Sequence, residues 1–216
     1  SIHQIDQDGT GTVNVDAAGT ITVVASQSGV TATSGNIELD ANGASSDIVV
    51  NDGLSTTSGD ISILADNDIT FGADGDVTST SGNMTVTSDS DNGGTSSGAL
   101  TMNDGTLINA GSGTISLAAD EDIALGGLLT TNSSSTAMTI TSSEGAITDA
   151  GSTLVDIVAA SGTVTIDAAT GVDIDTTVAI LDLDNATSGN IDINETDALS
   201  IHQIDQDGTG TVNVDA

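Results

Sequence analysis

Residues 1–17 read SIHQIDQDGTGTVNVDA, and residues 200–216 repeat them letter for letter. Seventeen successive identities define a repeat of 199 residues: 1–199 are one copy and 200–216 begin the next. A chain that copies itself at this length is expected to be one continuous segment of a longer tandem array, joined covalently or head to tail. On that reading the last layer is uncapped, and Val212 and Val214 await a further copy above them. Arrays of this kind build rods and fibres more readily than enclosed active sites.

A shorter pattern runs inside the unit: Ser-Gly-x-apolar-x-apolar-x-small. It appears at SGNIELDA (34–41), SGDISILA (58–65), SGNMTVTS (81–88), SGTISLAA (112–119), SGTVTIDA (161–168) and SGNIDINE (188–195). Looser copies are GTVNVDA at 11 and STAMTITS at 135. Measured between the glycines, with Thr136 standing in for one, the spacings are 24, 24, 23, 31, 23, 26, 27 and 21. They total 199, so the long repeat holds eight short ones.

Alternation with period two is a strand signal. One apolar column is Val13, Ile37, Ile61, Met84, Ile115, Met138, Val164 and Ile191; a second lies two residues further on, from Val15 to Ile193. A second strand is expected at Ile21/Val23, Ile69/Phe71, Ile123/Leu125, Val172/Ile174 and Leu199/Ile201. A weaker third carries Val30, Leu54, Val77, Leu107, Leu128, Leu154, Ile180 and Ile204. Three short strands per turn, with Gly, Asn, Asp and Ser at the corners, describe a right-handed parallel β-helix of eight coils per unit. At about 4.8 Å per coil the unit would advance roughly 38 Å. A helical reading fails on the abundance of Gly, Ser, Thr and Asp. Tandem β-sandwiches compete as an architecture, but they repeat every ~90–100 residues and have no 24-residue sub-period. The 31-residue coil from Ser81 is expected to bulge at 88–98, a polar run without strand pattern.

The formal charge is −32, with 28 Asp, 4 Glu and no Lys or Arg. Nucleic acid is an unfavourable partner, because phosphate binding draws on Lys and Arg. Anionic membrane surfaces repel such a chain, and no apolar run approaches a membrane span. There is no Cys, so disulfides and thiolate metal sites are excluded. Phe71 is the only aromatic residue; disorder is the competing reading, but regularly spaced Ile, Val and Leu oppose it. Stacked like charges repel, so the acids are expected at corners: Asp66, Asp68, Asp74, Asp76, Asp120, Asp122, Asp173, Asp175, Asp182 and Asp184.

The coil SGDISILADNDITFGADGDVTSTSG (58–82) resembles the repeats of filamentous-haemagglutinin-like exoproteins, through SG-x-I-x-I-x-A-x-x-DI at 58–69. SGTISLAADEDIAL (112–125) follows it closely and SGTVTIDAATGVDI (161–174) more loosely. The resemblance implies a β-helical fold and a secreted prokaryotic protein, extracellular or on the cell surface, serving as an adhesin stalk, filament or matrix element. It carries over no catalytic residue. A near-identical 199-residue array without Lys or Arg departs from that family's pattern.

Asp6 and Asp8, their copies Asp205 and Asp207, and the pair Asp89 and Asp91 form Asp-x-Asp runs ahead of glycine. Calcium takes six to eight hard oxygens, so alternating carboxylates on a tight turn suit it. Solvated turns with diffuse counterions are the other reading, and the distal Glu of an EF-hand is missing. His3 and His202 are one repeat position, and a lone His is a poor transition-metal site. Sequons begin at Asn83, Asn132, Asn185 and Asn194. Thr-x-Thr pairs read as ladder residues, and the acids among them break any flat ice-binding array. Hydrolase chemistry would need a placed carboxylate pair, usually in an aromatic groove. The expected function is therefore a non-catalytic extracellular fibre or adhesin stalk for cell-surface attachment or matrix, whose partners are further copies of itself, divalent cations such as Ca²⁺, and cell-surface or matrix glycans. The alternative is a calcium-dependent adhesive or surface-layer module.

Overall fold

The computed structural model describes residues 1–25, 28–90 and 98–216. Every regular element among them is a β-strand, and every strand pairing is parallel. The chain winds about nine turns of a β-solenoid, and its strands fall into three ladders that run along the axis.

The first ladder stacks Val13–Ala17, Ile37–Ala41, Ile61–Ala65, Met84–Ser88, Ile115–Ala119 and Met138–Ser142. It continues through residues 163–168, 180–185 and Ser200–Gln206. The second stacks Ile21–Val23, Ile48–Val50, Ile69–Phe71, Leu100–Met102, Ile123–Leu125 and Ile147–Asp149. Above them lie residues 172–174, Ile191–Glu195 and Val212–Asp215. The third runs Gln4–Gln7, Gly29–Ala32, Leu54–Thr56, Val77–Ser79, Ile108–Gly111 and Leu128–Thr130, then residues 157–159 and 176–178.

Alternate residues point inward, so one apolar core runs the length of the solenoid, with Phe71, Ile37, Leu39, Ile61 and Ile63 fully or almost fully buried. Each fully buried Ile or Leu contributes roughly 1.5–3 kcal/mol, and a coil can bury its face only against its neighbours.

The Ser-Gly signature has a steric cause. A methyl group on Gly35 would strike the carbonyl of Gly11 in the preceding coil; Gly59 stands in the same relation to Gly35, Gly82 to Gly59 and Gly113 to Gly82. This corner lets the backbones approach so closely that no Cβ fits. Inward hydroxyls brace it: Thr56 Oγ1 donates to Gly35 O at 3.0 Å and accepts from Gly59 N–H at 3.2 Å. Ser79 Oγ accepts from Gly82 N–H at 2.8 Å.

Several strand assignments made from periodicity shift. Ile48/Val50 and Ile147, which the periodicity assigns to no strand, belong to the second ladder, and Ile108 and Ile157 occupy inward places expected for Leu107 and Leu154. Ile180 and Ile204 sit on the first ladder, not the third, and Ile201 pairs with Leu181 there. The largest shift concerns Ile191 and Ile193: they stack on Val172 and Ile174 in the second ladder, while Leu181 and Leu183 take the places above Val164 and Ile166. The coil from Val164 to Leu181 spans only 17 residues. Its corners shrink until one strand, Val172–Asn185, carries three faces in succession. The unit therefore spans eight and one-third coils, not eight, and advances about 40 Å.

The 31-residue step from Met84 to Ile115 leaves the ladders in register, because Leu100–Met102 stacks directly on Ile69–Phe71. Ser88 Oγ donates to Gly98 O at 2.7 Å and ties the two feet of the extra segment together. Residues 91–97, where the bulge was expected, lie outside the described residues.

A paired substitution tests the glycine column. Gly59→Ala is expected to lower unfolding free energy by about 2 kcal/mol or more in urea titration. Gly19→Ala, where nothing lies within 4 Å of the added carbon, is expected to be near neutral. Equal, small effects would contradict the close-approach account.

Candidate functional site: the acidic corners and columns

Many corner Asp and Asn side chains hold the next coil's backbone. Asn36 Oδ1 accepts from Asp60 N–H at 3.0 Å, Asp60 Oδ1 from Asn83 N–H at 2.8 Å, and Asn83 Oδ1 from Thr114 N–H at 3.0 Å. At other corners Asp68 Oδ1 accepts from Ala99 N–H at 3.0 Å, Asp76 Oδ1 from Leu107 N–H at 2.8 Å and Asp122 Oδ1 from Ala146 N–H at 2.8 Å. Where the chain turns between strands, the ladder's own carbonyls no longer reach these donors, and an Asx oxygen takes over.

Asp173, Asp175, Asp182 and Asp184 depart from the expected corner placement. All four lie on the strand Val172–Asn185, and the ladders stack Asp173 under Asp192 and Asp184 between Asp167 and Asp205. Like charges therefore do share columns. The carboxyl of Asp167 is raised above the ordinary range by burial and then by Asp184 and Asp182. Asp173 is raised by burial, then by Asp192, Asp149 and Asp175. Asp40 is raised by burial, then by Asp16, Asp66 and Glu38.

Two further carboxyls are buried, Asp156 and Glu195. Asp156 is fully buried; its Oδ2 accepts from Asp175 N–H at 2.8 Å, and its Oδ1 has no partner as an acceptor. Burial first, and then Asp149, push its pKa up to about 8. A proton held on Asp156 and shared with the Asp149 carboxylate accounts for the direction of that shift. Glu195 is 8% exposed and ends the copy SGNIDINE at the position that is small elsewhere. Its carboxylate accepts from Thr176 Oγ1 at 3.0 Å, Val178 N–H at 3.1 Å, Thr196 N–H at 3.0 Å and Asp197 N–H at 3.1 Å. It stands where the third ladder's next strand would accept from Val178. That Glu in a column of small residues was the available signal; Asp156 offered none.

The five candidate calcium ligands among the described residues are dispersed. Asp6, on Gln4–Gln7, is exposed and accepts from Thr31 Oγ1 at 2.9 Å; Asp8 follows, also exposed. Asp205 and Asp207, their copies, lie on and just beyond a first-ladder strand, so the two motifs occupy different faces near opposite ends. Asp89 adopts φ 53°, and Asp91 lies outside the described residues. Among the described residues no three His, Asp or Glu side chains gather as a metal site. His202 is exposed, with Nδ1 3.0 Å from Asp182 Oδ2. Asn185 is buried, its amide bonded to Ser188 O and Gln206 Oε1, so its sequon is closed in the folded chain.

No family model matches this chain, and neither the curated proteins nor the solved structures give a match.

Asp156 sets a pH dependence. Its folded pKa of about 8 lies above the ordinary 3.8, so its contribution is full below pH ~4 and is lost as pH rises through about 8. Urea unfolding between pH 5 and 8 should show stability falling by up to about 1.4 kcal/mol per pH unit from this proton. Asp156→Asn, whose amide can donate to Asp149 at every pH, should remove that component. An unchanged slope in the variant would contradict the protonated pair.

Proposed function

We propose that this chain is a length of structural rod, repeated end to end in a non-catalytic extracellular fibre or adhesin stalk. The observation that carries the reading is the 17-residue recurrence: both copies lie in register within the ladders, each at a different height along the axis. A unit whose opening segment recurs 199 residues on adds coils to the same three ladders. The resemblance of residues 58–82 to haemagglutinin-like exoprotein repeats supports a surface or matrix location. The absence of Lys and Arg fits a rod that stays separate from its neighbours by charge. Divalent cations are its natural counterions, and further copies of the unit its main partners.

Chains of one, two and three 199-residue units, purified and measured by small-angle scattering and negative-stain imaging, test this reading. Rod length is expected to grow by about 40 Å per unit at constant width. Growth in width, or compact particles, would overturn it. Immunogold labelling of the source cells should place the protein at the surface; label confined to the cytoplasm would overturn the location.

A further inference from the structure

The identical segments at 1–17 and 200–216 do not occupy equivalent faces. Residues 4–7 lie on the third ladder and 13–17 on the first; their copies, 203–206 and 212–215, lie on the first and second. Each element has moved one face onward. We infer that consecutive copies of the unit are rotated by one-third of a turn about the rod axis. The end surface formed by Ser200–Gln206 and Val212–Asp215 is thus the seat of a second copy of this chain.

The seat is specific. Within the first coils Gly29–Ala32 stacks on Gln4–Gln7 and Ile37–Ala41 stacks on Val13–Ala17. The same sequences at 203–206 and 212–215 present the same edges, so the next copy's strands 29–32 and 37–41 fit them without any new pairing rule. The inward amide of Gln206 is already received: Asn185 Nδ2 donates to its Oε1 at 2.8 Å, and its Nε2 donates to Gly189 O at 3.1 Å. The first ladder thus accepts a glutamine that opens a unit: its column holds Ala or Ser up to Ala168, then Asn185, whose amide receives Gln206.

The rotation arises in the 17-residue coil and its three-faced strand. Between Gly162 and Gly189 the chain takes 27 residues, close to a single coil by count, yet it turns through four faces. Three units bring the pattern back to its starting face after 25 coils, about 120 Å. A patch carried once per unit, such as Asp167–Asp184–Asp205, is then displayed on three sides in rotation. The acidic columns of successive units do not line up along one side, and a partner that reads one face meets the same patch every ~120 Å.

The inference rests on the tandem-rod reading, and cysteine crosslinking separates the two, since the chain contains no native Cys. The rotated register pairs Thr165 with Asp182 and Asp173 with Asp192. An unrotated unit of eight coils would instead pair Thr165 with Asp192. Three double variants are compared under mild oxidation: T165C/D182C, D173C/D192C and T165C/D192C, with N14C/E38C as a ladder control. Each is made in this chain and in a two-unit chain, and disulfides are read by peptide mapping. The first two should close nearly completely and the third should not, while all retain the β-sheet circular dichroism of the control. Closure of T165C/D192C in place of the other two would overturn the rotation, even in a two-unit rod of full length. Failure of the two-unit chain to lengthen, with the first two disulfides intact, would overturn the rod reading and leave the register standing.

Discussion

Every coil of this chain depends on the parallel hydrogen-bonded layer above and below it. A coil of about 24 residues is too small to enclose its own apolar face, and its backbone donors and acceptors point along the axis. Both needs are met by the same act, the addition of another coil in register. Ile37, Leu39, Ile61 and Ile63 are almost wholly buried because each is roofed by its counterpart. The glycine column marks how tight that layering is, and the Asx corners extend the hydrogen bonding through the turns, where the strands break off. Structure and length are thus one property of the solenoid: whatever lets coil n bind coil n+1 builds both its core and its extent.

The surface charge is the counterweight. Residues 1–199 carry 29 of the 32 carboxyl groups, since Asp205, Asp207 and Asp215 lie beyond them. Over about 40 Å that is one per ~1.4 Å of axis, denser than the one per ~1.7 Å of duplex DNA. A polyanion of that density gathers a counterion atmosphere, so its stability and its contacts depend on salt. The fold lowers the cost locally: Asp60, Asp68, Asp76 and Asp122 accept backbone N–H groups, Glu195 is surrounded by donors, and Asp156 keeps its proton. The stacked Asp167–Asp184–Asp205 column is not relieved in this way, and Asp184 Oδ1 is buried without a partner.

The architecture was legible because its cause is local and repeated. Ser-Gly-x-Ile-x-Leu states a close corner and a half-buried strand each time it occurs, and seven of its eight copies open the first ladder as expected. The eighth, SGNIDINE, opens the second ladder instead. What moved it is a coil whose apolar pair, Leu181/Leu183, comes without any Ser-Gly preamble and follows Val178 across a corner of almost no length. Nothing in period-two alternation distinguishes a strand that continues straight from one that bends onto a new face. Asp173, Asp182 and Asp184 were misplaced for the same reason: read as corners, they are the outward residues of that bending strand. Asp156 was invisible to pattern, since its burial depends on neighbours 19 residues away that only the ladder brings together.

Fibre diffraction from aligned multi-unit material tests the stacking claim most directly. Parallel layers normal to the rod axis should give a strong ~4.8 Å reflection on the meridian. The same spacing on the equator, with strands running along the fibre, would contradict a solenoid rod and the account built on it.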